Sequence, residues 1–330
     1  MKKALLGCAV VLVVLVAGLV GYAAVAGDGR FAHPSTLAPK LSASTDPGLI
    51  ERGRYLVHGP AHCAQCHSTD DLTHLEKIKS SPLQGGLAFK MGPLGTRYAR
   101  NLTPDPATGI GSIGDEALAR TLRTGVMHDG ELSFFMRYSA SNLADEDIVA
   151  VMSYLRSLQP VRHEVLQGYW SLFGKVLITY AFPSPTPRPV EGPRYVPAGD
   201  TPSVERGEYL AEHVALCVLC HTAIDQTTFV ATGPSAGGSL PEPSHGDDTD
   251  MEFVAPNLTS HPSGMTGQLS EDDFVERLKG GRAFPSSIMP WESFSAVTDS
   301  DLRSIYQYLK SLPPVDRDVG VTYRKKGTKN

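Results

Sequence analysis

Two groups of cysteine and histidine are the residues of this 330-residue chain best suited to chemistry. They are Cys63, Cys66 and His67 in the stretch HCAQCHS, and Cys217, Cys220 and His221 in the stretch LCVLCHT. Cysteines at positions i and i+3 of a helical turn project to the same side, with the histidine directly beside them. Three kinds of site use this arrangement: a redox-active dithiol, half of a zinc site and the attachment point of a haem.

The spacing favours haem attachment. The CxxC pairs of a structural zinc site usually lie about 15 to 20 residues apart, whereas here they are separated by 154 positions, from 63 to 217. A thioredoxin-like dithiol requires a βαβ context, which the sequence does not predict. In haem attachment every residue has a role, because each thiol bonds to one vinyl group of the porphyrin and the histidine ligates the iron. We therefore expect two covalently bound haem c groups.

A methionine opposite each histidine would complete the iron coordination and suit electron transfer, whereas an open position would permit peroxide or gas binding. Met136 lies 11 residues before Asp147, and Met289 lies 12 residues before Asp301, in matching parts of the chain. The matching positions make both methionines candidate iron ligands, with core packing as the alternative. Rival candidates are Met91, Met127 and His128 beside the first histidine, and Met251 and Met265 beside the second.

The two clusters belong to a duplicated unit. ERGRYLV (51–57) recurs as ERGEYLA (205–211), SPLQGG (81–86) has a counterpart in GPSAGG (233–238), NLT (101–103) recurs at 257–259, and DEDIVAVMSYLRSLQPV (145–161) recurs as DSDLRSIYQYLKSLPPV (299–315). The offsets between the copies stay between 152 and 156 positions. This pattern predicts two tandem domains of roughly 110 to 120 residues each.

Each copy is predicted to be all-α. A first helix runs to the CxxCH motif, a middle helix follows over 115–123 or 271–279, and a last helix ends before Pro160 or Pro313. In the last helices apolar residues recur at helical spacing, and no run of alternating strands is visible.

We expect the first and last helices to cross, with Gly53 and Gly207 against Tyr154 and Tyr308. Asn101 and Asn257, which open the NLT stretches, are candidates to bond haem propionates or brace the methionine loop, or are simple turn residues.

This ordered set of motifs resembles the class I cytochrome c domains of cytochrome c subunits from bacterial membrane-bound dehydrogenases. The resemblance covers residues 46–316. It implies that the chain accepts electrons from a partner dehydrogenase subunit for alcohol, gluconate, sorbitol or aldehyde and passes them to quinone, an oxidase or another cytochrome. We predict no substrate-binding catalytic residue in this chain. Two features depart from that family: its subunits usually carry three haems, and Arg137 stands where a proline is expected after the methionine.

The N-terminus is predicted to be a signal or membrane anchor. Lys2 and Lys3 precede 24 uncharged residues, 4–27. As a helix they would reach about 36 Å, against roughly 30 Å for the hydrocarbon core of a bilayer. An uncleaved transmembrane helix is the first expectation, and cleavage after Ala26 or lipidation at Cys8 are alternatives. In each case the remainder would lie on the periplasmic side of the inner membrane.

The formal net charge of −5 argues against nucleic-acid binding.

The predicted organisation therefore has six parts. They are the anchor (1–27), a linker (28–45), the first cytochrome c domain (46–161), an apolar and then proline-rich linker (162–200), the second cytochrome c domain (201–316) and a polar tail (317–330). The apolar segment 168–182 is predicted to be a core helix between the domains, with a docking patch for a membrane or partner as the alternative. Two further functions remain open, a dihaem peroxidase and a haem-based sensor or structural subunit.

Overall fold

Helices dominate the computed structural model, which describes residues 2–27, 39–68, 81–180, 192–199, 201–225, 231–243, 250–282, 287 and 289–328. Within these ranges, nothing is described for the side chains of 2–7, 9, 26, 134, 178, 242 and 243. Most of the predicted linker 28–45 and the proline-rich stretch 182–191 lie outside the described residues.

The helices follow the predicted order in both repeats. Up to the linker they are Lys2–Ala26 (α1), Pro47–His58 (α2), Cys63–His67 (α3), Asp115–Thr124 (α4), Phe134–Tyr138 (α5), Asp145–Ser157 (α6) and Leu172–Tyr180 (α7). In the second repeat they are Val204–Glu208 (α8), which continues as a π-helical turn over Tyr209–Val214, Cys217–Cys220 (α9), Met265–Gln268 (α10), Glu271–Lys279 (α11), Trp291–Phe294 (α12) and Asp299–Ser311 (α13). The predicted first, middle and last helices of each repeat are therefore confirmed.

The all-α prediction is correct for the core but incomplete at the periphery, where two small antiparallel sheets form. One consists of Ala88–Lys90 (β1), Gly95–Tyr98 (β2) and Tyr169–Trp170 (β3), in that order. The other consists of Glu242–Pro243 (β4), Met251–Phe253 (β5) and Tyr323–Lys325 (β6). In each sheet, the third strand comes from the segment that follows the last helix of the repeat.

The first and last helices of each repeat cross in close contact at a glycine, as predicted. A Cβ atom on Gly53 would lie 2.0 Å from the carbonyl oxygen of Ala150 and 2.7 Å from the Cβ of Tyr154. In the second domain, a Cβ atom on Gly207 would lie 1.9 Å from the carbonyl oxygen of Ser304 and 2.8 Å from the Cβ of Tyr308. Any larger residue would force the two helices apart.

An arginine–aspartate pair joins the crossing helices of each domain. Arg52 donates from Nε and Nη2 to the two carboxylate oxygens of Asp147, both at 3.0 Å. Arg206 forms the same bidentate pair with Asp301, also at 3.0 Å. Both carboxylates are buried, so the arginines supply the compensating charge that buried carboxylates require.

A tyrosine of the opposite domain completes each of these pairs. The hydroxyl of Tyr55 donates to Asp301 at 2.7 Å, and the hydroxyl of Tyr209 donates to Asp147, also at 2.7 Å. Burial raises the pKa of both tyrosines, which keeps each hydroxyl protonated as a donor. The repeated ERGxYL motif therefore stabilises its own domain through the arginine and the domain interface through the tyrosine. We call these two tyrosine–aspartate contacts the interdomain clasps.

Two expectations outside the repeats are not supported. In the part of the chain that the structure describes, no helix is long and apolar enough to cross a bilayer, so the expected N-terminal transmembrane helix lacks structural support. The prediction that the linker segment 168–182 forms a core helix between the domains is wrong. Leu172, Phe173 and Tyr180 of α7 are about half exposed, and this helix packs on α1 rather than between the domains.

Removing the interdomain clasps should allow the two domains to unfold in separate transitions. Tyr55→Phe and Tyr209→Phe each delete a hydrogen bond to a buried carboxylate and should lower the free energy of unfolding by about 1.5 to 3 kcal/mol each. Guanidinium chloride unfolding of the double variant should show two transitions. Tyr154→Phe and Tyr308→Phe are matched controls, because their hydroxyls bond to His58 and Glu212 within their own domains. A single transition at the wild-type midpoint in the clasp variants would contradict this prediction.

Candidate haem-binding sites

Both CxxCH turns begin from the same uncommon backbone conformation. Each short helix, α3 or α9, follows a non-glycine residue with positive φ, 40° at His62 and 56° at Leu216. Such residues are uncommon because the Cβ atom crowds the backbone in the left-handed region. The two residues occupy equivalent positions of the repeat, so the duplication retains this turn along with the cysteines.

The histidine of each motif is oriented by a backbone carbonyl. Nδ1 of His67 lies 2.7 Å from the carbonyl oxygen of Arg100, and Nδ1 of His221 lies 2.8 Å from that of Pro256. Because a carbonyl can only accept, Nδ1 carries the proton and Nε2 keeps its lone pair. Burial lowers the pKa of both imidazoles, which favours the neutral ring. A neutral imidazole held through its second nitrogen is the form that ligates a metal.

The NLT stretches fix the carbonyls that hold these histidines. Asn101 follows Arg100, and its buried amide donates to the carbonyl oxygen of Val161 at 2.9 Å and to Oγ1 of Thr108 at 3.2 Å. Asn257 follows Pro256 and donates to the carbonyl oxygens of Val315 and Arg317 at 2.7 and 3.2 Å. Because both amide protons are used within the protein, the propionate interpretation is not supported. The asparagines instead tie the histidine-holding loop to the segment after the last helix.

A cavity of about 470 Å³ lies over the first motif. Cys63, Cys66 and His67 line it together with Met136, and the remaining walls are largely apolar, with contributions from Leu102, Ile113, Leu122, Leu143 and Leu155. Its volume is within the range of roughly 300 to 1,000 Å³ that cofactor sites occupy. The cavity, the thiols and the oriented imidazole fit a porphyrin that is bound covalently through two cysteines.

The geometry of the first cavity distinguishes Met136 from only some of the rival ligands of that domain. Met127 and His128 line the same cavity as Met136, whereas Met91 is not among its lining residues. Met136 lies in α5. Ser133 caps the N-terminus of this helix, because its Oγ accepts a hydrogen bond from the backbone N–H of Met136 at 3.4 Å. The choice of Met136 as the ligand remains a prediction.

In the second domain, Met289 lies in a loop that is stabilised by an arginine–glutamate ion pair. Arg282 forms a bidentate pair with Glu292, at 3.1 and 2.8 Å, and its Nη2 lies 3.4 Å from the carbonyl oxygen of Met289. The indole of Trp291 donates to Oγ of Ser287 at 2.9 Å. Met289 itself packs against the hydrophobic core. Sequence reasoning missed this brace, for which the only signal was the acid three residues after the methionine.

The geometry argues against the other two interpretations of the cysteines. Burial raises the pKa of Cys63 to about 12 and that of Cys66 to about 11, whereas reactive dithiols have a lowered pKa. Burial also raises the pKa of Cys217 to about 12. Among the described residues, no three histidine, cysteine or acidic side chains come together as a metal-binding group, as a zinc site would require.

Curated relatives of the chain are c-type cytochromes and cytochrome c subunits of dehydrogenases. The cytochrome c subunit of the quinone-dependent alcohol dehydrogenase of Gluconacetobacter polyoxogenes is 31% identical over 304 residues, which is 87% of this chain and 61% of the relative. The cytochrome c subunit of gluconate 2-dehydrogenase from Pantoea cypripedii is 29% identical, over 92% of this chain and 65% of the relative. A dihaem c-type cytochrome of Cereibacter sphaeroides is 24% identical, over 86% of this chain and 92% of the relative.

This chain is a homologue of those cytochromes c. No protein-family model matches the chain, and it spans about three fifths of the length of the first relatives. Homology to cytochromes c implies covalently bound haem c, which agrees with the cysteine pairs, the oriented histidines and the cavity. The predicted resemblance is therefore confirmed.

Each CxxCH motif should attach one haem independently. Replacing Cys63 and Cys66 by serine should remove one covalently bound haem, and replacing Cys217 and Cys220 by serine should remove the other, because serine forms no thioether. Intact mass and the pyridine haemochrome spectrum of the purified chain measure the count. Cys8→Ser is the matched control and should change nothing. Wild-type protein carrying fewer than two haems would contradict the prediction.

Proposed function

We propose that the chain is a dihaem c-type cytochrome that carries electrons for a partner dehydrogenase. The observation that carries the proposal is the repeated unit of two thiols and a neutral histidine held through Nδ1, present in both domains. When bound, haem c supplies an iron that cycles between the ferrous and ferric states and so transfers one electron at a time.

The residues of the chain would hold this iron in a constant environment. His67 with Met136, and His221 with Met289, are the proposed ligand pairs. The carbonyls of Arg100 and Pro256 hold the imidazoles in one orientation, and the walls of the first cavity are largely apolar. Retaining both ligands in both oxidation states keeps structural rearrangement small, which suits electron transfer rather than catalysis.

The proposed partner is a dehydrogenase catalytic subunit, and the proposed acceptor is quinone, an oxidase or another cytochrome. The names of the relatives support a dehydrogenase partner, since those proteins are cytochrome subunits of alcohol and gluconate dehydrogenases. We place the chain on the periplasmic side of the inner membrane, held by its N-terminal segment. The lysines at positions 2 and 3 and the uncharged run 4–27 support this location.

The ligand role of Met289 predicts a spectroscopic change. Met289→Ala should remove about half of the methionine–iron charge-transfer absorption and lower the midpoint potential of one haem, because methionine ligation raises the potential. Arg282→Gln should weaken the same band, since it removes the brace of the Met289 loop. Met136→Ala should remove the other half.

Arg324→Gln is the matched control for Arg282→Gln. Arg324 pairs with Glu252 at 2.8 Å and is as buried as Arg282, but it joins β5 and β6. Both substitutions should lower the free energy of unfolding by about 1 to 3 kcal/mol, and only Arg282→Gln should alter the absorption band. If Met127→Ala or His128→Ala removed the first-domain signal while Met136→Ala did not, the ligand assignment would be wrong for that domain.

The partner assignment predicts co-purification. After detergent extraction of membranes from the native host, the tagged chain should carry a dehydrogenase subunit that is identified by mass spectrometry. Addition of that subunit's alcohol or sugar-acid substrate should reduce the haems. Rapid turnover of hydrogen peroxide by the reduced protein, without a dehydrogenase, would instead favour the peroxidase alternative.

A further inference from the structure

The wall of the first cavity includes a residue of the second domain. Val214 lines this cavity together with Val57, Ala140 and Leu143 of the first domain. It is 3% exposed, and it packs in one hydrophobic cluster with those three residues. The interface between the domains therefore extends to the candidate haem site.

The helix before the second CxxCH motif explains how Val214 reaches this position. The two motifs are 154 positions apart, so the counterpart of Val214 in the first repeat is Pro60. The first helix ends at His58, because proline lacks an N–H group and disfavours helical geometry in the residue that precedes it. In the second repeat the helix continues through Val214 as a π-helical turn, closed by a hydrogen bond of 2.7 Å from the N–H of Ala215 to the carbonyl oxygen of Leu210. Such turns are rare and frequently occur at functional sites.

The duplication alone does not account for this contact. Pro60 is buried, yet it is not among the residues that line the cavity of its own domain. Val214 therefore reaches the first cavity through the packing of the two domains, and not through a contact that each repeat makes with its own site.

The start of the π-helical turn is anchored to the first domain. The hydroxyl of Tyr209 donates to the carboxylate of Asp147 at 2.7 Å and accepts from the backbone N–H of Ala144 at 3.1 Å. Ala144 directly follows Leu143, which lines the cavity. One interdomain clasp therefore holds the first residue of the turn, and Val214 is the last residue of the same turn.

A second contact crosses the interface at the first CxxCH motif. His62, which directly precedes the motif, lines the cavity, and its ring centre lies 6.5 Å from that of Phe294. Phe294 is 3% exposed and ends α12, which starts two residues after Met289. The second domain therefore contacts the first site both at the wall and at the turn that carries the cysteines.

An apolar wall affects the reduction potential of a bound haem. Ferric iron carries one more positive charge than ferrous iron, so a dry and apolar environment destabilises the ferric state and raises the potential. Because Val214 is buried and apolar, it acts in this direction on the first cavity.

We propose that Val214 of the second domain is part of the first haem site and raises the reduction potential of the haem bound there. This inference rests on the proposed function, since it requires a haem in the first cavity. The potential of the first haem then depends on the docking of the second domain, so the two domains do not act as independent electron carriers.

The test is a spectroelectrochemical titration of the full-length, haem-loaded protein, which measures both midpoint potentials. Val214→Asp places a carboxylate in the cavity wall, which stabilises the ferric state. It should lower the equilibrium constant for reduction of the first haem about tenfold, which corresponds to about 59 mV for a one-electron couple, and should shift the second haem less. The chain with Cys63→Ser and Cys66→Ser assigns the two potentials, because it should retain only the haem of the second domain. Met136→Ala is a second assignment, because it should shift only the first haem.

Val214→Thr is the second variant, in case the aspartate prevents folding. It nearly preserves the shape of valine and adds one hydroxyl, so it should lower the same potential by a smaller amount. Val275→Thr is its matched control, since Val275 is 6% exposed in α11 and its counterpart Ala119 does not line the first cavity. The control should lower the stability of the protein to a similar extent without lowering the potential of the first haem.

The outcomes distinguish this inference from the proposed function. If the purified chain carried no haem, the proposed function would fail. If it carried two haems and neither Val214 variant lowered the potential of the first haem, or if the second haem shifted by as much, the inference alone would be overturned. An equal shift in Val275→Thr would also overturn it, because the effect would then come from a general loss of packing.

Discussion

Each domain depends on the close crossing of its first and last helices at a single glycine. Gly53 and Gly207 allow the backbone of one helix to touch the backbone of the other, at a place where any side chain would separate them. The first helix leads directly into the CxxCH turn, and the segment after the last helix receives the amide of Asn101 or Asn257. The crossing therefore sets the distance between the cysteines and the carbonyl that orients the histidine.

The crossing also creates the buried carboxylate that joins the domains. Asp147 and Asp301 are neutralised by an arginine of their own domain, and a buried ion pair alone gives little stability because desolvation offsets attraction. The tyrosines of the opposite domain use a remaining lone pair of each carboxylate, so each pair becomes fully hydrogen-bonded only when the two domains are together. The repeated ERGxYL motif accounts for both pairs of contacts. In each copy, the arginine of the motif binds the aspartate of its own repeat, and the tyrosine binds the aspartate of the other repeat.

The sequence was sufficient for the parts of the structure that repeat. Helical periodicity, the spacing of CxxCH and the paired glycines and tyrosines predicted the framework and the histidine side of each site. The two sheets were missed because strands of two to four residues are too short to show alternation, and because β3 and β6 come from segments outside the repeats. The clasps were missed because a repeat reveals what is duplicated within each copy and not which contacts form between copies. The exposure of the apolar segment around α7 is not predictable from its composition, because composition alone does not distinguish a buried helix from one that faces outward.

The differences between the two domains lie where the duplicated framework imposes no constraint. The histidine, its carbonyl and its asparagine are common to both, because they are fixed by the helix crossing. The methionine side is not fixed in this way: Met136 sits in a capped helical turn beside Met127 and His128, whereas the Met289 loop is tied by an arginine–glutamate pair. The outer cover also differs, with the linker in one domain and the tail in the other. A framework that fixes the histidine of each site while the methionine side and the outer surface vary would allow two bound haems to acquire different reduction potentials and different contacts, which would suit the proposed electron transfer.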